Sequence, residues 1–336
     1  MSKKILYIGN NLTKKTKYSI SITILSNLLK SENFNIKVVS DKQNKVLRLF
    51  DMIKSILILG KQIDFILIDT FSTTNFYFVL ITSQLARVFK INYIPILRGG
   101  NLSFRLKNNI FYSNLIFKNS YKNIAPSNFL KEEFKKYKFN TTFIPNTIPL
   151  KKYKFKERNL IQPKLLWVRS FKEIYNPKLA ILVLNLVLEK YKNAKLCMIG
   201  PNNDKTYLEC KKLAEDLKII DNLEFTGVLT KEEWHKKSEE YDVFINTTNF
   251  DNTPVSVIEA MALGLPIVST NAGGMPYLID HKIDGVLVNK NNAVEMSNAI
   301  IEIIEGKHPE LNKSARKKVE QFDWEVVKKQ WIEILK

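Results

Sequence analysis

The stretch FDNTPVSVIEAMALGLPIVSTNAGGMPYLI, residues 250–279, sets an acid, Asp251, just before a turn and a second acid, Glu259, eight residues later. Glycines follow at Gly264 and at Gly273 and Gly274. A helix beginning near Pro254 leaves its first amides, those of Val255, Ser256 and Val257, without intrahelical acceptors, and the positive end of the helix dipole adds to them. That combination attracts an anion, and a phosphate suits it. Glu259 then lies roughly 6 Å further along the axis, about the span from a pyrophosphate to the ribose hydroxyls of a nucleotide. Its carboxylate can accept two hydroxyl hydrogen bonds. Asp251 would sit across the phosphates, where an attached sugar must lie, and Gly273 and Gly274 would let a second loop approach closely. One stretch could grip nucleotide, diphosphate and sugar together. The competing reading makes Asp251 a helix cap and Glu259 a surface acid.

The elements that must position these residues alternate along the chain. β-Branched runs at 4–9, 36–39, 65–69, 92–97, 122–127 and 141–145 are separated by helical patterns near 16–30, 44–60, 75–89, 104–119 and 128–137. Residues 144–164, with three prolines and a run of lysines, break the periodicity. It restarts with strands at 164–168, 194–200, 222–227, 241–246, 266–270 and 285–288, a helix capped by Asn176 with Pro177 at its first position, and helices near 206–217 and 254–263. The pattern predicts an α/β chain of two doubly wound Rossmann-like domains facing a cleft. The boundaries are 1–150, a linker at 151–163, a second domain at 164–321, and a terminal helix at 322–336 that packs back on the first domain. Ligands of such sheets bind at the carboxyl ends of the strands, so the cleft is the expected site.

Length and composition agree with this. The chain has 336 residues, 45% of them apolar, enough for two cores. Its start, MSKKILYIGN, runs into a strand without the apolar region of a signal peptide, and no apolar run has the 18 or so residues of a spanning helix. Cys197 and Cys210 have no CxxC partner, which fits reduced thiols in a cytosolic setting. His235, His281 and His308 lack metal-ligand spacing and read as surface or loop residues. The net charge of +19 is uneven: residues 1–158 hold 28 Lys and Arg against 8 Asp and Glu, whereas residues 159–336 hold 24 against 25. An AT-rich coding bias accounts for 45 Lys against 7 Arg, but not for acids missing from one half. The first domain is expected to face something anionic.

The second half resembles the family-four retaining glycosyltransferases of the GT-B fold, whose E-x7-E motif is followed by EAMA-G-P-V and a GG-PE-I loop. Here the motif reads Asp251-x7-Glu259, then EAMALGLPIVST and NAGGMPYLI. APSNFLKEEFKKY and IPNTI, within 125–148, resemble the family's approach to its interdomain segment, and CMIGPNND and FTGVLT fall where its donor-site loops do. The resemblance covers roughly residues 120–290. It implies transfer of a sugar from a UDP- or GDP-linked donor with retention, without another cofactor. Glu259 would hold the ribose, Asp251 the transferred sugar, and the amides of Val255 and Ser256, with Thr253 beside them, the diphosphate. Gly200, Gly227 and Val228 would lie near the donor. Arg169 of WVRSFKEIYNP takes the place of the family's phosphate-neutralising arginine, and Lys172 stands in for its lysine. On the acceptor side, Gly9, Asn10 and Asn11 form the loop after the first strand. The family's acceptor-side histidine has no counterpart before His235, so that role is either absent or passed to Arg98, Gly99 and Gly100. Helix amides and Arg169 would meet the charge growing on the leaving diphosphate. No D-x-D occurs, in keeping with a metal-independent site.

The acceptor implied is a surface polysaccharide or lipid-linked oligosaccharide. A nucleotide-sugar epimerase of the same architecture is the nearest alternative. A nucleic-acid binder would explain the basic half, but no recognition motif accompanies it. A nicotinamide oxidoreductase would need a G-x-G-x-x-G after Gly9, which is absent. A peripheral position at the inner face of the membrane is also expected. Segment 45–61 puts Leu49, Ile53, Ile56 and Leu57 on one helical face flanked by Lys and Arg, and 104–118 is similarly apolar and basic; each is either core or, if exposed, a membrane-facing surface.

Overall fold

The computed structural model describes residues 2–11, 21–39, 41–99 and 101–336. The first strands and helices are β1 (Lys4–Ile8), α1 (Ser21–Ser31), β2 (Asn35–Val39), α2 (Lys45–Leu59), β3 (Phe65–Thr70) and α3 (Asn75–Val88). They are followed by β4 (Asn92–Leu97), α4 (Leu102–Asn108), α5 (Ile110–Phe117), β5 (Asn123–Ala125), α6 (Asn128–Lys136) and β6 (Thr141–Phe143). A second series begins with β7 (Lys164–Val168), α7 (Pro177–Lys190), β8 (Lys195–Ile199), α8 (Lys205–Asp216), β9 (Leu223–Gly227) and α9 (Lys231–Lys237). It continues through β10 (Val243–Asn246), α10 (Val255–Ala262), β11 (Ile267–Thr270), α11 (Met275–Leu278), β12 (Val286–Val288), α12 (Ala293–Ile304) and α13 (Leu311–Val319), and the chain closes with α14 (Trp324–Leu335).

Each series builds one six-stranded parallel sheet, ordered β2-β1-β3-β4-β5-β6 and β12-β11-β10-β7-β8-β9. The chain divides into two compact units, Met1–Thr147 with Trp324–Lys336, and Ile148–Asp323. Strand residues in the first unit alternate between two cores. Leu6, Ile8, Ile66 and Ile68 pack with α2, α3, α5 and α6 on one face, and Ile5, Tyr7, Phe65 and Leu67 with α1 and α14 on the other. Burial on both faces is why these strands read as near-continuous apolar runs. Cys197 and Cys210 are both buried free thiols, pushed up to about 12 by that burial.

Several details differ from the sequence reading. The helical pattern over 104–119 is two helices, because Asn109 adopts φ −132° and ψ 44° between them. Asn176 precedes α7 in a left-handed conformation and makes no side-chain cap bond; its amide donates instead to Asn291 at 2.8 Å. On α2, Ile56 is fully buried and Leu49 and Ile53 are half-buried, so the face expected to meet a membrane is turned mostly inward. The outward face carries Val46, Leu47, Phe50, Leu57 and Ile58.

Residues 151–163, read as a linker, are folded into the second unit. Arg158 explains this. Its guanidinium, almost wholly buried, donates to the carbonyls of Lys156 at 3.1 Å, Ser238 at 3.0 Å, Tyr241 at 3.1 Å and Leu263 at 3.0 Å, with Asp242 at 3.5 Å. Gly264 adopts φ +78°, and a Cβ there would lie 2.5 Å from the Lys156 carbonyl oxygen.

Helix α14 places Trp324, Val327, Trp331 and Leu335 in the first unit's core, and the Trp324 indole donates to Glu32 at 3.1 Å. Each such buried side chain contributes about 1.5–3 kcal/mol. A chain ending at Asp323 is therefore expected to bind a hydrophobic dye and to lose the first unit's melting transition to lower temperature, while the second unit melts as before. An unchanged first transition in calorimetry would contradict this packing.

Candidate functional site

In the second sheet β7 and β10 are neighbours, and strand order runs outward from them in opposite directions. Such a switch point opens a crevice at the carboxyl ends of the two strands. Arg169 follows β7 directly, and the loop carrying Asp251 follows β10.

The backbone of Arg169 is fixed by its N–H donating to Ile199 O at 3.0 Å. A register shift between Met198 and Ile199 brings Gly227 beside Ile199, and Gly200 N donates to Gly227 O at 2.9 Å. A side chain at Gly200 would run into the Arg169 carbonyl, so the turns holding Gly200, Gly227 and the neighbouring Val228 interlock with the arginine's loop. The guanidinium lies 4.4 Å over the Tyr175 ring and is ion-paired with Asp251. Its Nε is buried without a hydrogen-bond partner among the described residues. Lys172 is not brought to this cluster; its side chain is exposed, and Asp204 feels its charge.

Asp251 is no helix cap. That position belongs to Pro254, while Asp251 Oδ1 accepts from Asn252 N at 2.8 Å and Oδ2 faces Arg169. Gly273 and Gly274 do let backbone approach closely, and the backbone is that of the Asp251 loop. A Cβ on either would collide with the carbonyl of Asp251 or Asn252, and Gly274 N donates to Asp251 O at 2.9 Å. The two glycines hold the acid's loop. Thr270 Oγ1 ties the same loop's start by donating to Thr248 O at 2.6 Å.

Helix α10 begins at Val255, and Val257 N donates back to Pro254 O at 3.1 Å. This removes Val257 from the expected set of open amides and leaves Val255 and Ser256, both half-exposed beside half-buried Thr253. One turn on, Glu259 is 4% exposed. Tyr153 Oη donates to its Oε1 at 2.8 Å, and Lys231 forms an ion pair with the same oxygen. Oε2 has no protein partner among the described residues. Burial first, and then the Glu259 charge, push the Tyr153 hydroxyl well above the usual phenol range, which keeps it a donor.

Tyr153 and Lys231 did not stand out in the sequence. Tyr153 arrives through the anchored segment: Arg316 donates to Tyr153 O at 3.0 Å and to Ala262 O at 2.5 Å, tying it to the end of α10. Lys231 had a readable signal, the T-x-x-E capping box of Thr230 and Glu233 that starts α9 and makes Lys231 its first residue.

In the first unit, Gly9 is tight because a Cβ would lie 2.8 Å from Ile22 Cδ1 and 2.9 Å from Asp69 Oδ2. Asn10 accepts from Arg48 at 2.8 Å, and Asn11 lies half-buried next to it. Arg98 donates to Asp69 at 2.8 Å, Asn146 at 3.0 Å and the Tyr7 hydroxyl at 3.0 Å, so its guanidinium is engaged within the unit. Gly99 lies against Ser72 N, 2.9 Å from where a Cβ would be. Gly100 lies outside the described residues.

His235 is not an ordinary surface residue. Its ring is 4.6 Å from that of Tyr153 and 4.5 Å from that of Trp234. Burial, then the charge of Lys231, lowers its pKa from 6.5 to about 4. A depressed histidine contributes stability fully above the unfolded value of 6.5 and loses it as pH falls toward about 4, since the unfolded chain takes the proton first. Urea midpoints of the second unit measured across that window should fall less steeply for His235→Gln than for the native chain. Parallel curves would contradict the assignment.

A family model described as Glycosyl transferases group 1 matches residues 151–322, just over half of the chain. Among curated proteins, the chain is 32% identical over 120 residues to sucrose-phosphate synthase 4 of Arabidopsis thaliana, covering 32% of this chain and 11% of that one. It is 28% identical over 147 residues to the sulfoquinovosyl transferase SQD2 of the same plant, covering 42% and 28%. The matched segments thus span less than a third of those relatives' own lengths. Among solved structures, a sucrose-phosphate synthase from Thermosynechococcus elongatus superposes with a TM-score of 0.79 at 14% identity over 99% of this chain and 98% of that one. Anabaena HepE, solved in complex with UDP and glucose, superposes with a TM-score of 0.78 at 16% identity over 99% of both chains. The fold is that of the two-domain GT-B glycosyltransferases. The chain belongs to the glycosyl transferases group 1 family.

Proposed function

We propose that this chain is a retaining glycosyltransferase that moves a sugar from a UDP- or GDP-linked donor to a hydroxyl of a polysaccharide or lipid-linked oligosaccharide. The observation that carries the reading is the order of groups at the switch point: Asp251 and Arg169, then the open amides of α10, then the unshared oxygen of Glu259. Arg169, whose buried Nε lacks an acceptor among the described residues, and the Val255 and Ser256 amides hold the diphosphate, with Thr253 at its edge. Glu259 Oε2 takes the ribose hydroxyls, and the base lies along Gly200, Gly227 and Val228. UDP, the nucleotide in the HepE complex, suits this site.

In the reaction the bond from the anomeric carbon to the β-phosphate oxygen breaks, and the acceptor oxygen bonds that carbon on the same face. The acceptor's proton passes to the departing phosphate oxygen. Charge develops on the diphosphate, and Arg169 with the helix amides offsets it in place of a metal. Asp251, shared with Arg169 in the absence of donor, accepts from the sugar's hydroxyls. The first unit supplies the acceptor side through Gly9, Asn10, Asn11 and Gly99, with Arg98 setting the shape behind them. The enzyme works in the cytoplasm at the inner face of the membrane.

Two variants test the roles, with turnover assayed in excess EDTA, where the native enzyme keeps its full rate. Glu259→Gln raises the nucleotide's Kd about tenfold, from about 1.4 kcal/mol of lost hydrogen bonding, in ground and transition states alike. Asp251→Asn leaves nucleotide affinity nearly unchanged and lowers kcat. Calorimetry with free nucleotide and product analysis with donor and acceptor measure both. Weak nucleotide binding by the Asp251 variant with normal binding by the Glu259 variant would reverse the roles, and loss in neither would overturn the site.

A further inference from the structure

Helix α2 is apolar on both sides. Arg48, Met52, Ser55 and Ile56 face the core, while positions 46, 47, 50, 54, 57 and 58 point outward along the opposite stripe. Apart from Lys54 these are Val46 at 61% exposure, Leu47 at 58%, Phe50 at 64%, Leu57 at 53% and Ile58 at 62%. A surface helix ordinarily shows polar residues there. The stripe continues across its neighbours, since α2 packs beside α3 and α3 beside α5. Exposed Tyr77 of α3 meets Tyr112 of α5 with ring centroids 6.4 Å apart, and Phe111, 68% exposed, stands 5.6 Å from Tyr112. Five of the 21 exposed large hydrophobic residues among those described fall on the outward side of α2 within the 13 residues Val46–Ile58, a concentration and not the usual scatter.

Its charge selects the occupant. Residues 45–118 contain ten Lys and Arg against three acids, Asp51, Asp64 and Asp69. Asp69 is buried against Arg98, and Asp64 faces Lys3 and the Lys4 amide. Asp51 alone of the three lies on α2. A second copy of this chain would bring like charges together, and although Tyr77, Phe111 and Tyr112 can stack on bases, the exposed aliphatic side chains of Val46, Leu47, Leu57 and Ile58 gain nothing from a polyanion. Aliphatic side chains rimmed by lysine match the interface of a bilayer with anionic headgroups.

We infer that the outward face of α2, continued by Tyr77, Phe111 and Tyr112, rests in the headgroup layer of an anionic membrane with α2 parallel to its plane. The apolar side chains enter the acyl boundary, and Lys45, Lys54 and Lys107 meet lipid phosphates. This deepens the membrane placement proposed above by naming the surface that makes the contact, and it uses no residue of the donor site.

Sedimentation of the full chain with phosphatidylcholine vesicles, alone or mixed with phosphatidylglycerol, tests it. The native chain binds the anionic vesicles, and binding falls as salt screens the lysines. The double substitution Phe50→Ser with Leu57→Ser weakens binding about tenfold or more. Phe111→Ser, on a separate helix, weakens it independently, and Lys54→Glu weakens it at low salt. The variants' thermal midpoints and nucleotide affinity stay native, which separates this surface from the donor site. Failure of the native chain to bind anionic vesicles, equal binding to neutral ones, or undiminished binding by correctly folded variants would overturn the proposal. So would a dimer, seen by analytical ultracentrifugation, that the double variant abolishes.

Discussion

A carboxylate as deeply buried as that of Glu259 needs its charge met, and much of the second unit's local structure follows from how that is done. Desolvation penalises the ionised form unless donors compensate it. Tyr153 and Lys231 both attend to Oε1. Tyr153 can reach it because residues 151–158 are held against the end of α10 by Arg158 and Arg316, and because Gly264 leaves room for the Lys156 carbonyl. Lys231 can reach it because the capping box fixes the start of α9. One carboxylate oxygen is thereby oriented, and the other has no protein partner among the described residues.

The same economy appears at Asp251. A loop that must hold an acid beside Arg169 is kept in place by two glycines on its far side, an N–H from Gly274, and the Thr270 hydroxyl at the end of β11, which donates to Thr248 O. The orphaned Nε of Arg169 shows that the protein leaves part of this cation's bonding capacity unspent. In the first unit the corresponding arginine, Arg98, is committed to Asp69, Asn146 and Tyr7. Its role there is to set the ends of β1, β3 and β4.

The parallel sheets and the order of acid, helix start and acid were legible because they rest on local periodicity and on motif spacing. Glu259 and Arg169 were placed correctly on their elements for that reason. What the sequence hid is non-local. Tyr153 lies 106 residues from Glu259, inside a stretch whose prolines and lysines read as a linker. Gly273 and Gly274 read as a loop that lets backbone approach closely, but that the approaching backbone is the Asp251 loop, some 22 residues earlier, was not legible. The face of α2 was misjudged by about one helical position because both of its faces are apolar, so periodicity alone could not tell inside from outside.

The central claim is that Glu259 Oε2 receives the ribose hydroxyls while Tyr153 and Lys231 hold Oε1. The most direct measurement compares, by calorimetry, the affinity of UDP and of GDP with that of their 2′,3′-dideoxy counterparts in the native chain and in Tyr153→Phe. The account predicts that the preferred nucleotide loses about tenfold in affinity without its diol, and that Tyr153→Phe narrows the difference. Equal affinity of the native chain for the nucleotide with and without the diol would contradict it.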